Sequence, residues 1–333
     1  MTDTTVSMHL PAVGSAILAF DIGGTDTKSA LVDEHGRVLD VRRSATPRGG
    51  NDPARDVVAE ITDIAQDYQT RHGIRPAAVG LSVPGLVTER TGIAHFSANL
   101  GWRDAPVKAL AEASLGLPVA FGHDVRAAGL AEQRLGAARG YDSVVVLAIG
   151  TGLASALVFN SQLYLGSGFA GEIGHTQSDP HGEHCPCGAV GCLETIASAG
   201  AITRRYEALS GHPVAGARDV LAASARGDEV ATLVWSDAVW ALARSLASLV
   251  AVVAPDAIVL GGGLARAGDA LLTPLAQQLD GLLSFHRRPP LLLAALADDA
   301  GLLGTAMFAQ DLVLGATPRL PDHTLDTVPA STP

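Results

Sequence analysis

Apolar and polar positions alternate in short bursts at the start of the chain. "ILAFDI" (17–22) is apolar, "GGTD" is a turn, "KSALV" (28–32) is apolar, "DEHG" turns again, and "RVLDVRRS" (37–44) alternates. Runs of this length between Gly/Asp clusters predict three strands joined by tight turns. The period then lengthens. Over 53–73, Val57, Ile61 and Ile64 share one face and Gly73 stands at the end, which predicts a helix with a glycine stop. "AAVGLSVPG" (77–85) predicts a buried strand into a Pro-Gly turn, "LPVAFGHD" (117–124) another strand, and "VRAAGLAEQRLGAA" (125–138) a helix.

The opening pattern then returns. "VVVLAIGTGLASALVFNSQLYLG" again reads strand, glycine turn, strand, turn, strand. Ile22-Gly23 matches Ile149-Gly150, and Ser29–Val32 matches Ser155–Val158, with one gap and about 126 residues between them. Either two unrelated hairpins share common residues, or the molecule has two lobes that open with the same meander. Helices are predicted over 196–209, 217–227, 228–254, 264–283 and 300–315, with strands at "AIVLGGG" and "PPLLLAAL". Residues 1–15 read as a loose leader, and 316–333, rich in Pro and Thr, as a disordered tail.

Composition narrows the function. A chain of 333 residues with 47% hydrophobic side chains can bury a core of two lobes. A net charge of -11 disfavours nucleic acid and anionic membranes as partners. Three cysteines are too few for a disulfide scaffold and fit a reducing compartment. "MTDTTVSMHL" lacks the basic end and apolar run of a signal peptide, and the apolar stretches look too short for a bilayer. These features predict a soluble cytoplasmic protein.

Three glycine-rich turns follow apolar strands: Gly23-Gly24-Thr25, Gly150-Thr151-Gly152 and Gly261-Gly262-Gly263. None is a Walker loop, and a strand follows the first two where a dinucleotide turn needs a helix. Each alone reads as a tight turn. Together, their N–H groups and the Thr25 and Thr151 hydroxyls suit a polyphosphate in a cleft. Asp124 stands where a strand meets a helix, and reads either as an N-cap or as a general base for phosphoryl transfer to an alcohol. All three cysteines lie in one loop. Cys185-x-Cys187-x4-Cys192, with His175 ten residues upstream, offers a Cys3His set for tetrahedral zinc. Ordinary thiols, a redox pair, or His181 or His184 replacing His175 are the other readings.

These motifs identify a family. In order, "DIGGT", "NLGW", "GHD", "AIGTG", "GEIGH", "CPCGAVGCLE", "IVLGGG" and "AGLLGTA" cover about Ile17 to Gln310. The chain resembles the ROK sugar kinases, and within them the bacterial ATP-dependent glucokinases. "GEIGH" followed by the cysteine loop is the most specific part.

The resemblance implies an α/β protein with a two-lobed, actin-like (ribonuclease H-like) ATPase fold, a duplicated β-meander and a central cleft. It implies an N-terminal lobe over 16–130, a C-terminal lobe over 131–301 with a zinc loop at 175–194, and a final helix, 302–315, returning to the first lobe. Gly23, Gly24, Thr25, Gly150, Thr151 and Gly152 would hold ATP phosphates, with Gly261 and Gly262 near the adenosine. Asp21 would reach Mg²⁺ through water. Asp124 would be the base for the sugar 6-hydroxyl. Asn99, His123, Glu172, His175 and Glu194 would hold the sugar, and His175, Cys185, Cys187 and Cys192 a structural Zn²⁺. A homodimer or homotetramer is implied.

One departure and one retained residue bear on the substrate. His123 stands where the family usually has Asn. Glu172 favours glucose, whereas "HTQSDPHG" looks like the amino-sugar kinases. The alternatives are therefore an N-acetylmannosamine, N-acetylglucosamine or fructose kinase, or a sugar-responsive regulator without a DNA-binding domain.

Overall fold

The computed structural model describes residues 9–316. The chain opens on the expected meander of β1 (Ile17–Ile22), β2 (Asp26–Val32) and β3 (Val38–Ala45). Helix α1 (Pro53–His72) starts at Asp52, whose carboxylate accepts Arg55 N–H, and stops on Gly73 at φ 66°, a left-handed backbone that glycine adopts without strain. After β4 (Ala78–Val83) the chain departs from the periodicity. It forms a separate antiparallel sheet of β5 (Leu86–Thr88), β6 (Ile93–Ser97) and β7 (Trp102–Ala105), then α2 (Val107–Leu115), where no element was predicted. Then come β8 (Val119–His123) and α3 (Asp124–Arg134).

The second meander is β9 (Val144–Ile149), β10 (Leu153–Phe159) and β11 (Gln162–Leu163). Beyond the cysteine loop lie α4 (Glu194–Ala197), α5 (Ala199–Ser210), α6 (Ala217–Ala225) and α7 (Glu229–Val253). The helix expected over 196–209 is broken at Ser198, which caps α5 by accepting Ala201 N–H. The chain closes with β12 (Ala257–Gly261), α8 (Asp269–Leu282), β13 (Leu291–Leu293) and α9 (Ala300–Val313).

The two main sheets share one topology. Their orders are β3-β2-β1-β4-β8 and β11-β10-β9-β12-β13, each an antiparallel meander continued by two parallel strands. The sequence repeat is thus a structural repeat: Ser29 opposes Phe20, and Ser155 opposes Leu147, at the same place in both hairpins.

Alternation along β1 sends Leu18, Phe20 and Ile22 toward α1, and Ile17 and Ala19 toward α9. The final helix therefore packs on the first sheet. α7, by length and composition alone, could span a membrane, contrary to the expectation that the apolar stretches are too short. Its Val234, Leu242 and Leu246 lie in the core over the second sheet. Part of the expected leader is pinned. Leu10 is buried, its N–H donates to Gly36 O, and Gln310 bonds Pro11 O. The expected tail lies outside the described residues, apart from Ala316.

α3 is wedged between the sheets, touching α9 on one side and β10 on the other. Close approach there needs glycine. A Cβ on Gly304 would lie 1.8 Å from Ala127 O, and one on Gly80 1.9 Å from Thr305 O. Gly80→Ala and Gly304→Ala should each lower stability by about 1–3 kcal/mol or more through overpacking. Urea denaturation checks this, and unchanged midpoints would contradict the packing described.

Candidate active site

β1, β4 and β8 run parallel, so their carboxyl ends share one edge and bring Asp21, Ser82 and His123-Asp124 together. Open α/β sheets bind ligands at such ends. Ser82 donates to Asp21 Oδ1 at 2.9 Å, and its Oγ lies 2.6 Å from Thr305 Oγ1 on α9. Burial, then the charge of Asp124, pushes Asp21 up to about 6. Burial also pushes Asp124 up to about 6, against the opposing pull of Val125 N–H and Arg126. The Asp124 side chain is still 30% exposed, so a substrate hydroxyl can reach it.

The residue at the N-cap of α3 is His123, not Asp124. Val125 N–H is shared between His123 Nδ1 (3.2 Å) and Asp124 Oδ1 (2.7 Å). Burial, then the Arg126 charge, pushes His123 down to about 3, so the imidazole is neutral. Its Nδ1 lone pair is taken, which puts the proton on Nε2 and makes that nitrogen a donor. The Glu172 carboxylate is close enough for its charge to act on this ring.

Asn99 packs on the first glycine turn: a Cβ on Gly24 would lie 2.9 Å from Asn99 Cβ. That turn is closed by Gly23 N–H to Asp26 O and by Thr46 to Gly23 O. Arg48 donates to Thr25 Oγ1 at 2.8 Å, an exposed cation at the turn that no sequence signal marked. In the second turn, Gly150 N–H bonds Gly152 O, and Leu153 N–H donates to Glu194 Oε2 at 2.7 Å. Glu194 is thus tied to the second glycine turn. The third turn lies beside it, since a Cβ on Gly262, at φ 79°, would lie 2.6 Å from Ile149 O.

In the cysteine loop, one ligand atom from each of His175, Cys185, Cys187 and Cys192 lies within 4.8 Å of all the others. His175 Nδ1 is 3.7 Å from Cys185 Sγ, and Cys187 Sγ is 3.6 Å from Cys192 Sγ. With Zn–S near 2.3 Å, the edge of a ligand tetrahedron is about 3.8 Å, so the spacing fits zinc. His181 and His184 are not in this group. Gly191, at φ 69°, makes the loop possible: a Cβ there would lie 1.5 Å from Asp179 O. Burial, with the neighbouring thiols, pushes Cys192 up to about 12, so a cation is what would make clustered thiolates favourable.

The residues that gather at the strand ends lie apart from two hollows in the second half of the chain. Two cavities of about 440 and 690 Å³ lie between α7 and the segment from Gly171 to Glu183; of the residues named from sequence, Glu172 lines the first and His181 the second. Sequence reasoning also missed Ser82, Thr305, Glu89 and Arg126. Arg126 is 1% exposed, and no periodicity marks a buried arginine.

A family model described as "ROK family" matches residues 17–312. A glucokinase of Thermotoga maritima is 31% identical over 318 residues, covering 90% of this chain and 98% of that protein. An N-acetylmannosamine kinase of Yersinia pseudotuberculosis is 34% identical over 298 residues, covering 88% and 98%. Among solved structures, a ROK family glucokinase from Streptomyces griseus in complex with glucose and AMPPNP superposes with a TM-score of 0.74 at 29% identity, covering 89% of this chain and 99% of that one.

The raised carboxylate of Asp124 has a consequence for stability. Between 3.8 and about 6 the folded chain binds a proton that the unfolded chain does not, so this group's contribution falls as pH rises through that window. Asp124→Asn should therefore raise the denaturation midpoint at pH 7.5, and the gain should shrink toward pH 4. A midpoint below wild type at pH 7.5 would contradict this.

Proposed function

This chain belongs to the ROK family and is an ATP-dependent sugar kinase; we propose that it phosphorylates the 6-hydroxyl of a hexose, with glucose as the preferred substrate. The observation that carries this is Asp124. It is a partly open carboxylate at the edge where β1, β4 and β8 end, beside Asp21, tuned to take a proton near neutral pH.

In the proposed reaction, Asp124 accepts the 6-hydroxyl proton as that oxygen bonds to the γ-phosphorus and the bond to ADP breaks. The N–H groups of Gly24 and Gly152, with the hydroxyls of Thr25 and Thr151, cradle the phosphates, on turns that the Gly23 and Gly150 N–H groups close from within. Gly261 and Gly262 border the adenosine. Asp21 would be the carboxylate that helps hold Mg²⁺, which would supply neutralisation of phosphate charge. His123 Nε2–H, Asn99, Glu172, Glu194 and His175 hold the other sugar hydroxyls.

His175, Cys185, Cys187 and Cys192 would hold a zinc ion, which would supply a crosslink. That crosslink would fix His175 and, through the chain, Glu194, whose carboxylate accepts Leu153 N–H at the second glycine turn. The proposal places the enzyme in the cytoplasm as a homodimer or homotetramer, which the native mass would check.

A second reading is an N-acetylmannosamine kinase, favoured by "HTQSDPHG" and by the Yersinia relative. Kinetics on hexoses and amino sugars with ATP and Mg²⁺ decide. We expect the highest kcat/KM for glucose, and a far higher value for N-acetylmannosamine or fructose would overturn that choice. Asp124→Asn should lower kcat by about 10²–10⁴-fold with little change in sugar affinity. Near-normal turnover would remove Asp124 from the base role.

Elemental analysis should find about one zinc per chain. Cys187→Ser should lose zinc and sugar phosphorylation together and, because Glu194 bonds the second glycine turn, should weaken ATP binding as well. A metal-free wild-type protein that is fully active, with titratable thiols, would overturn the zinc assignment.

A further inference from the structure

Arg126 lies two residues beyond Asp124 on α3 and is almost wholly buried. Its Nε is 2.7 Å from Glu89 Oε1, a charge contact without an aligned hydrogen bond. Its Nη1 donates to Ala170 O at 3.0 Å, and Nη1 and Nη2 both reach Gly168 O at 3.4 Å. One guanidinium thus joins the helix of Asp124, the small sheet beside Glu89, and the segment that leads into Glu172.

That segment is held from two sides. Toward the small sheet, Gly168 at φ 96° sits where a Cβ would lie 2.0 Å from Val87 O, and Thr88 Oγ1 donates to Ser167 O at 3.4 Å. Toward the second sheet, Gly171 O accepts from Ser155 N–H and Oγ at 2.8 and 3.0 Å. Glu172 follows at once. Its position relative to Asp124 therefore depends on how firmly 168–170 are tied to α3, and Arg126 is the side chain on α3 that makes this tie.

A buried ion pair is weak evidence for stability, because an apolar pair of similar volume often serves as well. An apolar pair would leave the Gly168 and Ala170 carbonyls without these donors. The fork of donors is what arginine supplies there, and lysine would not reproduce it.

We propose that Arg126 is a positioning residue for phosphoryl transfer, holding 168–170, and through them Glu172, in register with Asp124. This rests on the site reading given above, with Glu172 on the sugar and Asp124 as the base.

The test compares wild type, Arg126→Lys, and the double variant Arg126→Met with Glu89→Leu, which leaves no unpaired buried charge if the single variant folds poorly. Steady-state kinetics with sugar and ATP varied separately should show sugar KM raised about 10–100-fold, the scale of a misplacement near 1 Å. ATP KM should stay within about 2-fold. Hydrogen exchange over 166–175 should speed up in both variants, with the rest of α3 still protected. A folded variant with unchanged sugar KM and unchanged loop exchange overturns the proposal, as does a loss of kcat alone with loop exchange unchanged. If wild type phosphorylates no sugar, the substrate reading fails, and the exchange of 166–175 still decides for or against Arg126 as the tie.

Discussion

Helix α3 is packed between two sheets at once, with Ala127 against Gly304 of α9 and Gly129 against Ala156 of β10. The site depends on that wedge. It fixes where the helix begins, and so where Asp124 stands relative to the strand ends that carry Asp21 and Ser82. It also buries what the helix carries. Arg126 and Glu132 are both 1% exposed. Glu132 answers its burial by accepting N–H groups from Ala137, Ala295 and Leu296, which ties the helix to the segment before α9. Burial without full pairing at Asp21 and Asp124 raises both carboxylates to about 6. A position that costs stability is thereby suited to moving protons.

The cysteine loop is joined to the second glycine turn through Glu194. The chain leads from the cluster of His175 and three cysteines to Glu194, which bonds the second glycine turn, and Leu193 N–H bonds Thr176 O. Ordering the loop therefore orders the turn and the "GEIGH" segment together.

Much of the fold was legible because glycine turns and alternating strands mark both meanders, and their repeat implied two matching sheets. The region from 86 to 115 was not legible. Its strands are three to five residues long, and α2 starts at Pro106 without a side-chain cap and buries only Val107 and Ala111. The break at Ser198 was hidden because the apolar pattern runs through it. The ligand cluster was legible in residue spacing, and Asp124 in its place between strand and helix. Arg126, Glu89, Ser82 and Thr305 were not, because their roles come from elements brought together from distant parts of the chain. A charged residue in a helix reads as solvent-facing until a second sheet covers it.

The central claim is that the wedge of α3 makes Asp124 a base with a pKa near 6. The pH dependence of kcat/KM for sugar phosphorylation, measured from pH 4.5 to 8.5 at saturating Mg²⁺ and ATP, tests it most directly. Since the ionised carboxylate is the working form, the account predicts a rate that climbs with pH, bends near 6 and then levels. A flat profile down to pH 5, or the same bend in the residual activity of both Asp124→Asn and Asp21→Asn, would contradict it.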